Sequence, residues 1–276
     1  MRVVVAKSAG YCFGVRDAVD LAYKTAEEYD EVYMLGDIVH NENVVNDLSK
    51  AGAKVVDSLD KVPDDKPILL RAHGSKTSVW DDAKSRNLNI IDATCPLVHK
   101  IHQDVKDLYE DGRKIIVIGD HGHDEVVAIT DQVPRTIVVS SAKEAEQINR
   151  IRKAGVVTLS TQAIENVQDI IKILMTKIFD LRFVNTICFP TKRNQEQIKQ
   201  LAKENDVMVI IGSFTSANSK RLTMLSKEIN CRTYQVTGVA DIDITWFENC
   251  KSVGISAGAS TPDYLIEEVK NKLISI

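Results

Sequence analysis

The sequence predicts an α/β protein built from three small lobes, each with its own parallel sheet. Three observations point there. Strands alternate with helices along the whole chain, a strand–cysteine–helix segment occurs three times, and a glycine closes the next strand at a fixed distance each time. Such alternation favours parallel strands joined by crossovers, and the repetition makes the lobe the pattern to explain.

The 276 residues are 44% hydrophobic and 27% charged, enough for a core and too apolar for disorder. With 35 basic against 39 acidic residues, net charge −4, the chain lacks the basic footprint of a nucleic-acid binder. Its longest aliphatic run, residues 207–211, is too short to cross a bilayer. The opening "RVVVA" has no signal-peptide apolar region before it. A cytoplasmic protein is expected. The five cysteines form no C-x-x-C pair, so a disulfide framework, a zinc ribbon and the compact ferredoxin spacing all lack their signature.

Taken in order, "VVVAKSAGYCFGVRDAVDLAY" sets Cys12 between an apolar strand and a helix, "LNIIDATCPLVHKIHQDVKDLY" does the same for Cys95, and "LRFVNTICFPTKRNQEQIKQLA" for Cys188. Helical spacing is carried by Val15, Ala18, Val19, Ala22 and Ala26, then by Val98, Ile101, Val105, Leu108 and Tyr109, and more weakly by Ile198, Leu201 and Ala202. Next come "EVYMLGDIVHN", "RKIIVIGDHGHDE" and "DVMVIIGSFTSAN", whose Gly36, Gly119 and Gly212 each stand 24 residues after the cysteine. Two more strands follow per lobe: "AKVVDS" and "PILLRAHGS", "RTIVVS" and "GVVTLSTQ", "CRTYQV" and "KSVGISAGAS". Closing helices are expected in "NVQDIIKIL" and "PDYLIEEVKNKL". Lobe boundaries fall at 1–95, 96–187 and 188–276. The simplest assembly puts the lobes around a pseudo-threefold axis, strand ends facing a shared centre.

Open parallel sheets bind ligands beyond the carboxyl ends of their strands. Polar residues collect there: His40 and Asn41; His121, His123 and Glu125; Thr215, Ser216 and Asn218; His73; Ser160 and Thr161; Ser256 and Ser260. Imidazoles, hydroxyls and amides suit phosphate oxygens, although no Walker-A or G-x-G-x-x-G motif is present. Glu125, a carboxylate among histidines and hydroxyls, suits a general acid. The "HDE" around it lacks the P-C-x-x-C partner of zinc deaminases. His99 and His102 read as solvated or supporting groups, Cys231 and Cys250 as structural thiols, and Trp80 and Trp246 form no stacking platform.

Three thiolates at helix N-termini repel one another unless a metal compensates them. Soft sulfur ligands select zinc, copper(I) or iron–sulfur clusters. Zinc would need a fourth ligand, which His73 or His123 could supply. A four-iron cluster on three cysteines would keep one iron open to substrate. The alternatives to an enzyme are a zinc-stabilised binding module and a three-lobed interaction scaffold.

The segments "GYCFGVRDAV", "GDIVHNENVV", "RAHG", "DATCPLVHK", "ICFPTKRNQEQI", "SANSKRL" and "AGASTPD" together resemble the 4-hydroxy-3-methylbut-2-enyl diphosphate reductase (LytB) family, from end to end. The resemblance implies a trefoil of three α/β lobes around a [4Fe–4S] cluster. It also implies reductive loss of an allylic hydroxyl, giving isopentenyl and dimethylallyl diphosphates in the non-mevalonate pathway, with a ferredoxin- or flavodoxin-type electron donor. Carried over by position, Cys12, Cys95 and Cys188 match the cluster ligands. His40, His73, Ser216, Asn218 and Ser260 match the diphosphate cradle, with His123 beside it, and Glu125 matches the proton donor. Ser160 aligns with a substrate-facing threonine, and a one-residue shift would nominate Thr161. Asp124 stands where the family usually has proline, Ala217 where it has serine, and "ICFP" varies the sequence usual after the third cysteine.

Overall fold

Strand by strand, a computed structural model describes the whole chain, Met1–Ile276. The first third contains β1 (Arg2–Val5), α1 (Phe13–Glu28), β2 (Val32–Leu35), α2 (Glu42–Lys50), β3 (Ala53–Val56), β4 (Pro67–Leu70), α3 (Thr77–Ser85) and β5 (Asn89–Asp92). The middle third contains α4 (Pro96–Glu110), β6 (Lys114–Ile118), α5 (Asp124–Thr130), β7 (Ile137–Val139), α6 (Ala142–Gln147), β8 (Ile151–Thr158), α7 (Ile164–Lys177) and β9 (Ile178–Phe183). The last third contains α8 (Phe189–Glu204), β10 (Val207–Ile211), α9 (Ala217–Lys227), β11 (Thr233–Val236), β12 (Ser252–Ala257) and α10 (Asp263–Ile274).

The strands form three four-stranded, wholly parallel sheets with the orders β3-β2-β4-β5, β7-β6-β8-β9 and β11-β10-β12-β1. The α/β class and the three sheets are those the repeat predicts. All three orders are the same, and in each the edge strand is the one that leads into a cysteine. For β5 and β9 that edge lies within the expected lobe. The lobe boundaries 1–95, 96–187 and 188–276 assign β1 to the first lobe, however, and here the structure differs. β1 pairs with β12, from Arg2 opposite Ser252 to Val5 opposite Ile255. The corresponding edge of the first sheet is taken by β5. The fully buried β12 has backbone groups to satisfy on that side, and β1 satisfies them. By compactness the chain divides into two units: Met1–Arg16 with His40–Val45 and Phe189–Ile276, and Asp17–Val39 with Asn46–Cys188.

Parallel sheets covered on both faces read as near-continuous apolar runs. The period-two alternation of strand side chains decides which face each residue feeds. Ile116 and Ile118 pack with Val167, Ile170 and Leu174 of α7, whereas Ile115 and Val117 pack with Ile101, Val105 and Leu108 of α4. In the last sheet Val207, Val209 and Ile211 face Leu265, Ile266 and Val269 of α10, while Met208 and Ile210 face Ile198 and Leu201 of α8 and Leu222 of α9. The predicted helical stripes are largely buried. Tyr109 is the exception, 43% exposed, because it sits in the final turn of α4, beyond the edge of the sheet-facing stripe. Helices α2, α3, α5, α6 and α9 are not individually predicted from sequence. They are the crossovers that parallel pairing demands.

The glycines that close β6 and β10 give side chains room to cross. A Cβ at Gly119 would lie 2.5 Å from Val126 Cγ2 of α5. Gly119→Ala should therefore destabilise the fold by about 1–3 kcal/mol through overpacking, read as a lower urea midpoint with an unchanged m-value. No helix is long and apolar enough to cross a membrane.

Candidate active site

The middle sheet positions one carboxyl group with care. β6 and β8 are neighbours in the order β7-β6-β8-β9, and β7 and β9 lie on opposite sides of them. The crevice beyond their carboxyl ends is thus a topological switch point. His123 caps α5, its Nδ1 accepting the Glu125 N–H at 3.2 Å. Glu125, in the first turn, is 2% exposed. It receives two hydrogen bonds from the segment after β8: Ser160 N–H to Oε1 at 2.8 Å and Ser160 Oγ to Oε2 at 2.8 Å. Burial pushes its pKa up to about 7 against the opposing pull of those two bonds. A carboxyl poised there can hold or release a proton near neutrality. Ser160 is thus a direct partner of Glu125.

The three repeat cysteines share one backbone attachment. Cys95 caps α4, and Cys12 and Cys188 immediately precede α1 and α8. The Cys95 N–H donates to Ala72 O at 3.0 Å, Cys188 N–H to Ser160 O at 2.9 Å and Cys12 N–H to Ala259 O at 3.3 Å. Each acceptor lies two residues beyond the third strand of its sheet, β4, β8 or β12. All five cysteines are outside disulfides, with Cys12, Cys95 and Cys188 partly accessible. Thiols at helix N-termini are favoured as thiolates, and three soft donors in equivalent positions fit an iron–sulfur group. No group of three or more His, Cys, Asp or Glu side chains is gathered as for a single metal ion. Cys231 is exposed, and the Cys250 thiol donates to Ser252 O at 3.1 Å, its pKa raised by burial.

In the same unit as Glu125, the His73 and His123 rings meet edge to face, centroids 5.9 Å apart. Arg71, just after β4, pairs with Asp124 at 2.6 Å. In the other unit Ser260 Oγ donates to His40 O at 3.1 Å, and Ser216 caps α9 by accepting the Ser219 N–H at 3.3 Å. Asn218 is 8% exposed and its Nδ2 has no hydrogen-bond partner. A buried amide donor of this kind is costly without an acceptor, and phosphate oxygens would provide one. Ser213 Oγ donates to Glu42 Oε1 at 2.6 Å, and Thr215 Oγ1 lies 3.4 Å from the same oxygen.

Some sequence-nominated residues have other work. Asn41 caps α2, its Oδ1 accepting from the N–H groups of Asn43 and Val44 at 3.1 and 3.3 Å. His121 is exposed and lies 2.9 Å from Glu144, whose pKa is lowered to about 2, chiefly by hydrogen bonds from Ser140 and then by His121. His99 is solvent-exposed and bonded to Asp92 at 2.8 Å. His102 is buried instead, one turn beyond Val98 on the apolar face of α4. Its pKa falls to about 4, mainly through burial. An unfolded histidine binds its proton near pH 6.5 and the native one does not, so stability should fall as pH drops from about 6.5 toward 4. The loss from this group is at most about 3 kcal/mol, and urea unfolding of wild type and His102→Gln across that window measures it.

Arg71, Asp124 and Glu42 were not nominated as interacting groups by the sequence. The model of the LytB protein family matches residues 3–274. The chain belongs to the LytB family. Among its relatives, a protein of Geobacter sulfurreducens is 39% identical over 99% of this chain and 97% of its own length. One of Citrifermentans bemidjiense is 40% identical over 100% and 98%. Both bear the name 4-hydroxy-3-methylbut-2-enyl diphosphate reductase. The solved reductase of Plasmodium falciparum superposes with a TM-score of 0.94 at 28% identity, covering 98% of this LytB chain and 87% of that one. A second solved structure, described as (E)-4-hydroxy-3-methyl-but-2-enyl diphosphate reductase, the terminal enzyme of the non-mevalonate pathway, gives 0.72 at 35% identity over the full length of both.

Proposed function

We propose that this chain reduces 4-hydroxy-3-methylbut-2-enyl diphosphate to isopentenyl and dimethylallyl diphosphates. The observation that carries this reading is Glu125, buried, doubly hydrogen-bonded to Ser160 and poised near pH 7, in a family whose named members are this reductase. The reaction exchanges a hydroxyl for hydrogen and needs two electrons and two protons, with water as the other product. Hydroxide is a poor leaving group, so one proton must reach the departing oxygen. Glu125 supplies it, with Ser160 Oγ holding the carboxyl in register. The second proton goes to carbon at either end of the allylic system, which accounts for two products.

Cys12, Cys95 and Cys188 are the residues that would hold a [4Fe–4S] cluster. Such a cluster supplies one-electron reduction and a Lewis-acidic iron, fed by a donor of ferredoxin or flavodoxin type. His40, His73, His123, Ser216, Asn218 and Ser260 would bind the diphosphate, and the unsatisfied Asn218 amide supports that role. Protein purified without oxygen should contain iron and acid-labile sulfide, and should convert the substrate to both isomers with reduced viologen as donor. Stoichiometric zinc without sulfide, or cluster-bearing protein that leaves the substrate intact, would overturn the proposal.

A further inference from the structure

The helix that carries Glu125 is gripped at both ends by one short segment of the neighbouring sheet. At its start, Asp124 pairs with Arg71 at 2.6 Å, the two side chains only 31% and 24% exposed. At its end, Asp131 Oδ2 accepts both the Thr77 N–H at 2.7 Å and Thr77 Oγ1 at 2.6 Å. Residues 71–77 also contain His73, whose ring meets that of His123. Gly36 leaves space for the Arg71 guanidinium. Its φ is +73°, and a Cβ there would stand 2.9 Å from Nη1. The cation is therefore seated by the end of β2 and directed at the first residue of α5.

We propose that Arg71 and Asp124 are positioning residues, setting the place of Glu125 and His123 relative to His73. This rests on Glu125 being the proton donor. A seven-residue helix has little stability of its own, so its first turn depends on outside contacts, the Ser160 bonds to Glu125 and the Arg71–Asp124 pair. His123 and Glu125 flank Asp124, and any shift of Asp124 moves both. Arg71 acts on the reaction only through that turn. Misplacement of a proton donor by as little as 1 Å costs up to about a hundredfold in rate.

The position offers a discriminating rescue. Asp124 occupies the first helical position, where proline needs no N–H partner and presets φ. His123, at φ −64° and ψ 133°, already has the backbone that a following proline requires. Asp124→Pro should thus stiffen the turn without the Arg71 ion pair, while Asp124→Ala removes that pair and adds no backbone restraint in its place.

The test uses holoenzyme purified without oxygen, with kcat and KM measured under reduced viologen. Cluster content and melting temperature are recorded for each variant. Asp124→Ala and Arg71→Ala should each lower kcat roughly tenfold with cluster content unchanged, and their double variant should lose no more than either alone. Asp124→Pro should recover most of the rate, and Arg71→Ala should cost little in that background. Should Asp124→Ala melt too low to assay, Asp124→Asn is judged by the same criteria. Wild-type kcat in the alanine variant, or proline no better than alanine, would overturn the inference while a dead Glu125→Gln kept the proton donor in place. If Glu125→Gln turns over normally, the reading beneath it has failed instead.

Discussion

Replacing Glu125 with glutamine should leave substrate binding and cluster content near wild type and lower turnover by roughly 10²- to 10⁴-fold, the span of general acid catalysis. The amide keeps the size of the carboxyl and can still accept from Ser160, so the fold loses little. What disappears is the proton. The pH profile gives an independent check. Burial holds the native pKa near 7, so the acid form prevails below that value and kcat should decline as pH rises through it. The same shift sets the sign for stability. The native carboxyl binds its proton at higher pH than the unfolded one, so this group's contribution is complete below pH 4.5 and is lost as pH rises toward 7. A Glu125→Gln enzyme with near-normal kcat and an unchanged pH profile would remove Glu125 from the chemistry.

Cysteine exchange should separate the thiols with equal sharpness. Cys95→Ser should lose the cluster and essentially all turnover, because a hard, mostly protonated hydroxyl replaces a soft thiolate where the Ala72 carbonyl fixes the backbone. Cys12→Ser and Cys188→Ser should behave alike, since their attachments are equivalent. Cys250→Ser should retain full iron and sulfide content, its thiol being engaged with Ser252 O. The measurement is iron and sulfide per chain, together with the visible absorption of anoxic protein. Equal losses in Cys95→Ser and Cys250→Ser would show that the repeat selects the wrong thiols.

Much of the fold was legible because the strand–cysteine–helix spacing is local and occurs three times. The attachment of each cysteine is not local, yet the repeat reveals its equivalence without revealing the acceptor. The partner of β1 is hidden for a physical reason: an apolar strand of four residues pairs with whichever edge is open, and here that edge is about 250 positions away. His102 could have been found, since it shares the stripe of Val98, Ile101 and Val105, but histidine at one apolar position gives no sign of how deeply it packs. The ion pair of Arg71 with Asp124 depends on two sheets meeting, and neither residue stands in a pattern that names the other. Glu42 is similarly silent in sequence, because its partners Ser213 and Thr215 lie far along the chain.

During synthesis, β1 finds no mate until the ribosome has added about 250 further residues. Two sheets can form while the ribosome is still at work, but the third waits for its opening residues and its closing ones to find each other. That late, long-range closure is entropically demanding. Deleting β1 would therefore injure a sheet whose other strands are all made long after it.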